Sequence, residues 1–279
     1  MTEMYDNDGM PSEIYHEVTM FAEPIFDIGG FHITNSLLNT WLVVFAVVIF
    51  GLAFRRAIGV IPRKAQNILE MAVEQLLKIC DSATNSREKS LRFFPLVASF
   101  FFFILLNNWL GLLPGIGSVG KVVSGHGEKV FVPFFRGGTA DLNTTLALAI
   151  VGVVATHLVG ATTVGVWRHL NKFINVQSII DVPRKITKDI TILIINPIKL
   201  FVGLVEIVGE LAKVASLSFR LFGNIFAGEV LLASMSAILA FGVPIPFMFL
   251  EIIVGLIQAL IFAMLILVYL TIHTSVEEH

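Results

Sequence analysis

Pro197–Leu239 reads PIKLFVGLVEIVGELAKVASLSFRLFGNIFAGEVLLASMSAIL, and how these 43 residues lie decides the fold. As one helix they would extend about 64 Å, roughly twice the hydrocarbon thickness of a bilayer. No proline after Pro197 interrupts the run. A helix of that length has to tilt steeply, bend or fold back, and tilt lets it offer a long face to a neighbour within the membrane. Beyond Lys199 at its start it carries five charges: Glu206, Glu210, Lys213, Arg220 and Glu229. A charge at mid-bilayer costs about 2.5–3.5 kcal/mol, so five against lipid would be prohibitive; they must face protein, one another or water.

The rest of the chain supports a lipid environment. Of its 279 residues 56% are hydrophobic and 14% charged, and mean hydropathy is +0.83, outside the usual range of a soluble domain. Leu37–Phe54, Phe93–Leu113 and Asn143–Val166 are apolar runs of spanning length, as is Phe247–Leu270, which is interrupted by Glu251. The expected fold is therefore an all-α polytopic membrane protein of about five spans. They fall near residues 36–55, 92–113, 143–166, 190–239 and 243–273, with the last two long and steeply tilted. Residues 1–35 read as an external acidic arm, and residues 36–279 as a single membrane domain without internal repeat or low-complexity tract. Between the first two spans, residues 62–81 put Ile68, Met71, Ala72, Leu76 and Ile79 near one helical face, with Arg63, Lys64 and Lys78 around it. That pattern fits an amphipathic helix on the membrane surface and a soluble connecting helix equally well.

Basic residues set the orientation. Residues 1–54 hold no Lys or Arg against seven acids, whereas the segment after the first span holds eight basic residues, from Arg55 to Arg92. The next loop has Lys121, Lys129 and Arg136; the one after it has six, from Arg168 to Lys199. Cytoplasmic loops are enriched in Lys and Arg, so the N-terminus is expected outside and the C-terminus inside. The N-terminal stretch has no basic n-region, which argues against a signal peptide. Cys80 is the only cysteine, so no intrachain disulfide or Cys-based metal site is expected. A net charge of -2 argues against a nucleic-acid partner.

Within the charged run, Glu206, Glu210 and Lys213 are spaced i, i+4, i+7 and share a face, so they can neutralise one another or line a path. Arg220 differs. Its helical neighbours Ser216, Gly223, Asn224 and Ala227 are small or polar, and none carries a carboxylate. A guanidinium stays protonated at physiological pH, and small residues allow close helix approach, so a carboxylate on another chain is the inferred partner. Glu229 lies half a turn out of phase, about 13.5 Å along the axis. Glu251 and Gln258, seven apart, share a face of the last span. Glu229 and Glu251 are candidates for a proton relay with Gln258 as a hydrogen-bonding neighbour. His157, in the fourth span, serves either as a hydrogen-bonding group toward Thr156, Thr162 or a facing helix, or as part of a conducting path. Asp141, in TADLNTT, is either the N-cap of that span or the mouth of a channel. The other histidines sit mainly in loops or termini and give no metal-ligand spacing.

Ser216–Leu232 reads SLSFRLFGNIFAGEVLL, and with LIQALIFAMLILVYL at Leu256–Leu270, the EEH ending and TADLN before the fourth span it resembles the a-subunit family of F-type ATP synthases. The match is close over the C-terminal half and one of layout over the N-terminal half. The resemblance implies that Arg220 is the essential stator arginine and Asn224 the polar residue one turn on. It also implies that Glu229 is a half-channel carboxylate, Gln258 the glutamine facing the arginine, and Glu206 a cytoplasmic-side acid. Glu251 stands where some members have histidine, which brings two acids together and couples their titration.

The implied partners are a ring of c subunits, the b-subunit peripheral stalk, the remainder of the complex and the lipid bilayer. The implied site is a bacterial plasma membrane in preference to the mitochondrial inner membrane. Protons would enter near Asp141, Glu229 and Glu251, neutralise a ring carboxylate, and leave near Glu206 and Glu210. No cofactor, metal or catalytic residue is implied, and no GxxxxGK[ST] motif occurs. A secondary transporter would show duplicated halves and broken helices, and a membrane enzyme a nucleophile–base or metal constellation. Neither is visible, and a purely structural scaffold leaves Arg220 unexplained.

Overall fold

The computed structural model describes residues 14–15, 19–57, 64–113, 115–125, 128–173, 192–239 and 242–275. Helices dominate: α1 Asn35–Ala57, α2 Lys64–Thr84, α3 Arg87–Gly111, α4 Leu142–Val164, α5 Val166–Phe173, α6 Ile192–Ile238 and α7 Pro244–Thr274. Five stretches are long and apolar enough to cross a membrane: Asn35–Ala53, Arg87–Gly111, Leu142–Val164, Phe201–Ile238 and Pro244–Thr274.

Where helices begin follows from caps more than from hydropathy. α3 starts five residues before the apolar run suggests, because the Ser86 hydroxyl accepts from Lys89 N at 3.5 Å and Glu88 sits favourably in the first turn. α6 starts before Pro197 and runs through it. The basic connection around Pro183, the EEH ending and much of the N-terminal arm lie outside the described residues.

Short strands occupy the loops on which the sequence reading placed no secondary structure. β1 (Ile14–Tyr15), β5 (Glu128–Pro133) and β4 (Gly120–Gly125) form one sheet in that spatial order, β1 parallel and β4 antiparallel to β5. β2 (Pro24–Ile28) and β3 (Phe31–Thr34) form a hairpin closed by Gly29 and Gly30. Both glycines have positive φ, 60° and 89°, as a two-residue hairpin turn with right-handed strand twist requires.

The chain forms two compact units. The first comprises residues 1–69, 99–145 and 219–261; the second 70–98, 146–218 and 262–279. In the first, Thr34 caps α1 by accepting from Leu37 N at 3.3 Å, and Asn35 accepts from Glu23 N at 3.2 Å, tying the hairpin to the helix. In the second, Leu76, Leu77, Cys80 and Thr84 form the buried side of α2. Ile68, Met71 and Ile79 stay exposed, so the apolar face expected as one stripe is split between protein packing and the outer surface, with Leu76 on the inner side.

Candidate functional site

In the first unit, the last turn of α3, the loop before α4, α6 and α7 enclose a cavity of about 190 Å³, lined among others by Asn108, Gly137, Glu229 and Glu251. One water needs roughly 10–15 Å³ on this measure, so several fit. The walls are fixed by polar staples. Asn108 Nδ2 donates to Gly255 O at 2.9 Å, Trp109 Nε1 donates to Ile252 O at 3.1 Å, and Thr139 Oγ1 donates to Asn108 Oδ1 at 2.5 Å.

Glu251 is 5% exposed and rests on Gly228 of α6. A methyl group at Gly228 would overlap the Glu251 carboxyl, so the glycine preceding Glu229 makes the room for the second acid. Glu229 is held by Arg136, whose Nη2 lies 2.7 Å from Oε2 and whose Nε reaches both carboxylate oxygens. Arg136 also donates to Thr19 O at 2.7 Å and Phe21 O at 3.3 Å, which accounts for a guanidinium only 6% exposed. Gln258 is buried on the same helix as Glu251.

Asp141 does cap α4: its Oδ1 accepts from Asn143 N at 3.2 Å, and its Oδ2 accepts from Ser36 Oγ of α1 at 3.1 Å. It is buried, and its neighbour Ala140, not Asp141, lines the cavity. Along α6, Arg220, Gly223, Asn224 and Ala227 are all exposed on one face, and Asn224 Nδ2 donates to Arg220 O at 3.0 Å.

The second unit holds a separate cluster. Glu210 accepts from Lys213 Nζ at 2.7 Å, with His157 Nε2 at 3.3 Å and His273 Nε2 at 3.6 Å from its carboxylate. His157 Nδ1 is 3.1 Å from His169 Nε2. Thr156 and Thr162, considered as partners for His157, instead donate to Val153 O and Val159 O of their own helix. Lys213 also lies 5.0 Å above the Tyr269 ring. Glu206 is half-buried on the same helix as Glu210.

Two features were not singled out from the sequence. Arg136 was counted only for topology; its place in FFRGGTADLN, a charge among aromatics just before a span, was the available signal. The other is that His157, His169 and His273 converge in space. Their separations along the chain carry no such signal; the fold alone brings them together.

Comparison with known proteins agrees with the motif reading. Residues 37–271 match the family described as ATP synthase A chain. The chain belongs to the ATP synthase A chain family. Similar relatives include ATP synthase subunit a of Trichlorobacter lovleyi, 32% identical over 244 residues and 88% of each chain. Subunit a of Geobacter sulfurreducens is 30% identical over the same shares, and that of Syntrophobacter fumaroxidans 31% identical over 86% of this chain and 84% of its own. As an ATP synthase A chain, the protein is a multi-pass subunit of the membrane sector of F-type ATP synthase in the bacterial inner membrane. It is a proton-translocating channel subunit of the stator in that complex.

Proposed function

We propose that this A chain delivers protons to, and removes them from, carboxylates on a rotating ring of c subunits through two offset half-channels. The reading is supported best by the exposed α6 face of Arg220, Gly223, Asn224 and Ala227, a permanent cation among small side chains on a helix of 47 residues. Small residues allow a neighbouring helix to come close enough for a carboxylate to reach the guanidinium.

The outer half-channel is the cavity holding Glu229 and Glu251, with Gln258 further along the Glu251 face and Asp141 holding the mouth by capping α4. The inner one runs by Glu206 and Glu210, with His157 beside Glu210. A ring carboxyl neutralised at the outer site can turn through lipid, because a neutral acid avoids most of the cost of burying charge. Arg220 attracts the ionised carboxylate and keeps protons from passing directly between the two paths. Each proton crossing 100 mV supplies about 2.3 kcal/mol. Chemistry on nucleotide takes place elsewhere in the complex. In this reading the N-terminus faces outward and the C-terminus the cytoplasm, and a b-subunit stalk holds the chain against rotation.

The test is disulfide crosslinking in the assembled complex, with N224C paired with a cysteine placed beside the ring carboxylate. Formation of the a–c crosslink, and its loss when the cysteine is moved to the opposite side of α6, is the expected result. Equal crosslinking from both sides would remove the assignment of this face.

A further inference from the structure

Three histidines that the proton path does not require as a set meet in the second unit. His157 lies on α4, His169 on α5 and His273 in the last turn of α7, and one ring nitrogen from each falls within 4.8 Å of the others. The ring centroids of His157 and His273 are 4.4 Å apart. His157 Nδ1 and His169 Nε2 are separated by 3.1 Å. Two nitrogens bound to one tetrahedral zinc at about 2.0–2.1 Å stand roughly 3.3 Å apart, so that pair already has a ligand-like spacing.

The local fold makes room for the cluster. Gly165, at φ +99°, ends α4 in a backbone state that side-chain-bearing residues rarely adopt, and the chain turns there into α5 with His169 N donating to Gly165 O. Gly160 lies one turn beyond His157. A methyl group on it would come within 3.0 Å of the His169 ring at Cε1 and of Cβ and the backbone oxygen of His273, so the glycine leaves room for both residues to approach.

Two buried groups of the cluster also have polar atoms without a hydrogen-bond partner. His273 is 4% exposed and neither ring nitrogen has a hydrogen-bond partner; Glu210 Oε2, the oxygen facing His157, has none either. Buried polar atoms without partners are costly. An imidazole triad is a donor set suited to a borderline transition-metal ion.

We propose that His157, His169 and His273 bind a divalent transition-metal ion of the zinc class, with Glu210 facing the second nitrogen of His157. Lys213, 2.7 Å from the other Glu210 oxygen, is a cation close to the cluster and disfavours a second one there. Its partial exposure, like that of His157, leaves the cluster open to an ion. The metal site stands whether or not protons pass Glu210, since it requires only the placement of these side chains.

The test uses the intact ATP synthase complex in detergent, with Zn2+ supplied from a metal buffer and bound metal counted per complex. Wild type should hold one Zn2+ more than the H157N/H169N/H273N variant, and a single H273N change should weaken that site by at least about 100-fold, the upper range for loss of a mere supporting residue. Co2+ in place of Zn2+ should give the visible absorption of a tetrahedral site in wild type and not in the triple variant. K213Q should tighten Zn2+ binding by roughly fivefold to tenfold, because the neighbouring cation is gone. A gain of that kind cannot come from misfolding. Equal metal content in wild type and triple variant, or unchanged affinity in an assembled K213Q complex, would overturn the proposal.

Discussion

Arg136 and Glu229, 93 residues apart, form a pair in which one guanidinium reaches both carboxylate oxygens at 2.7–3.0 Å. The contact ties the loop before α4 to the C-terminal part of α6 and puts a fixed cation beside an acid lining the cavity. The same guanidinium lies 6.0 Å from the Phe226 ring, one turn before Glu229. A charge on α6 is thus met from outside that helix, by a residue that a reading of the helix alone does not supply.

The pair predicts non-additive mutations. E229Q leaves a buried guanidinium short of its counter-charge and should destabilise the complex by about 2 kcal/mol, between the values for exposed and fully buried pairs, because Glu229 keeps 31% of its side-chain surface exposed. R136Q/E229Q should cost less than the sum of its single changes. Thermal unfolding of the detergent-solubilised complex measures both. In vesicles, E229Q should also slow proton flux; unchanged flux would remove Glu229 from the path.

Gly228 predicts a steric effect on a neighbouring acid. G228A places a methyl group on the Glu251 carboxyl, an overpacking that typically costs about 1–3 kcal/mol, and should slow proton flux. Shortening the acid should relieve it, so G228A/E251D should conduct better than G228A. A double variant no better than the single one would mean that the overlap is not the cause.

Cys80 gives a prediction outside the spans. Burial, with the nearby Asp81 charge, pushes its thiol up to about 11. At pH 8 only about one thiol in a thousand is then ionised, so maleimide should label the native complex far more slowly than the denatured chain. Rapid native labelling would contradict the buried face of α2.

At the α2–α3 corner, Arg87 Nη1 lies 2.5 Å from Asp81 Oδ2. Burial would raise the Asp81 carboxyl, but the hydrogen bonds from Arg87 and Ser90 and the Arg87 charge outweigh it and hold it below its ordinary 3.8. A folded value below the unfolded one means that the contact contributes fully above pH 3.8 and is lost as pH falls below it. Amide exchange across the corner should quicken on acidification in wild type, and D81N should flatten that dependence.

The length and apolarity of the spans were legible because a bilayer demands uninterrupted hydrophobic runs, and α1, α3, α4, α6 and α7 each contain one. The Arg220 face was legible because i±3 and i±4 neighbours follow from helix geometry. Helix starts were less so: at α3 the Ser86 hydroxyl caps the first turn by hydrogen bonding, which hydropathy does not register. The least legible features were long-range. Arg136 meeting Glu229, and His169 and His273 meeting His157, depend on how separate elements pack, and no spacing within one helix encodes that.

ATP-driven proton uptake into vesicles carrying the R220A complex tests the central claim most directly. The account predicts that uptake is abolished while the chain remains inserted in the membrane and ATP is still hydrolysed by the complex. Coupled uptake retained in R220A would contradict it.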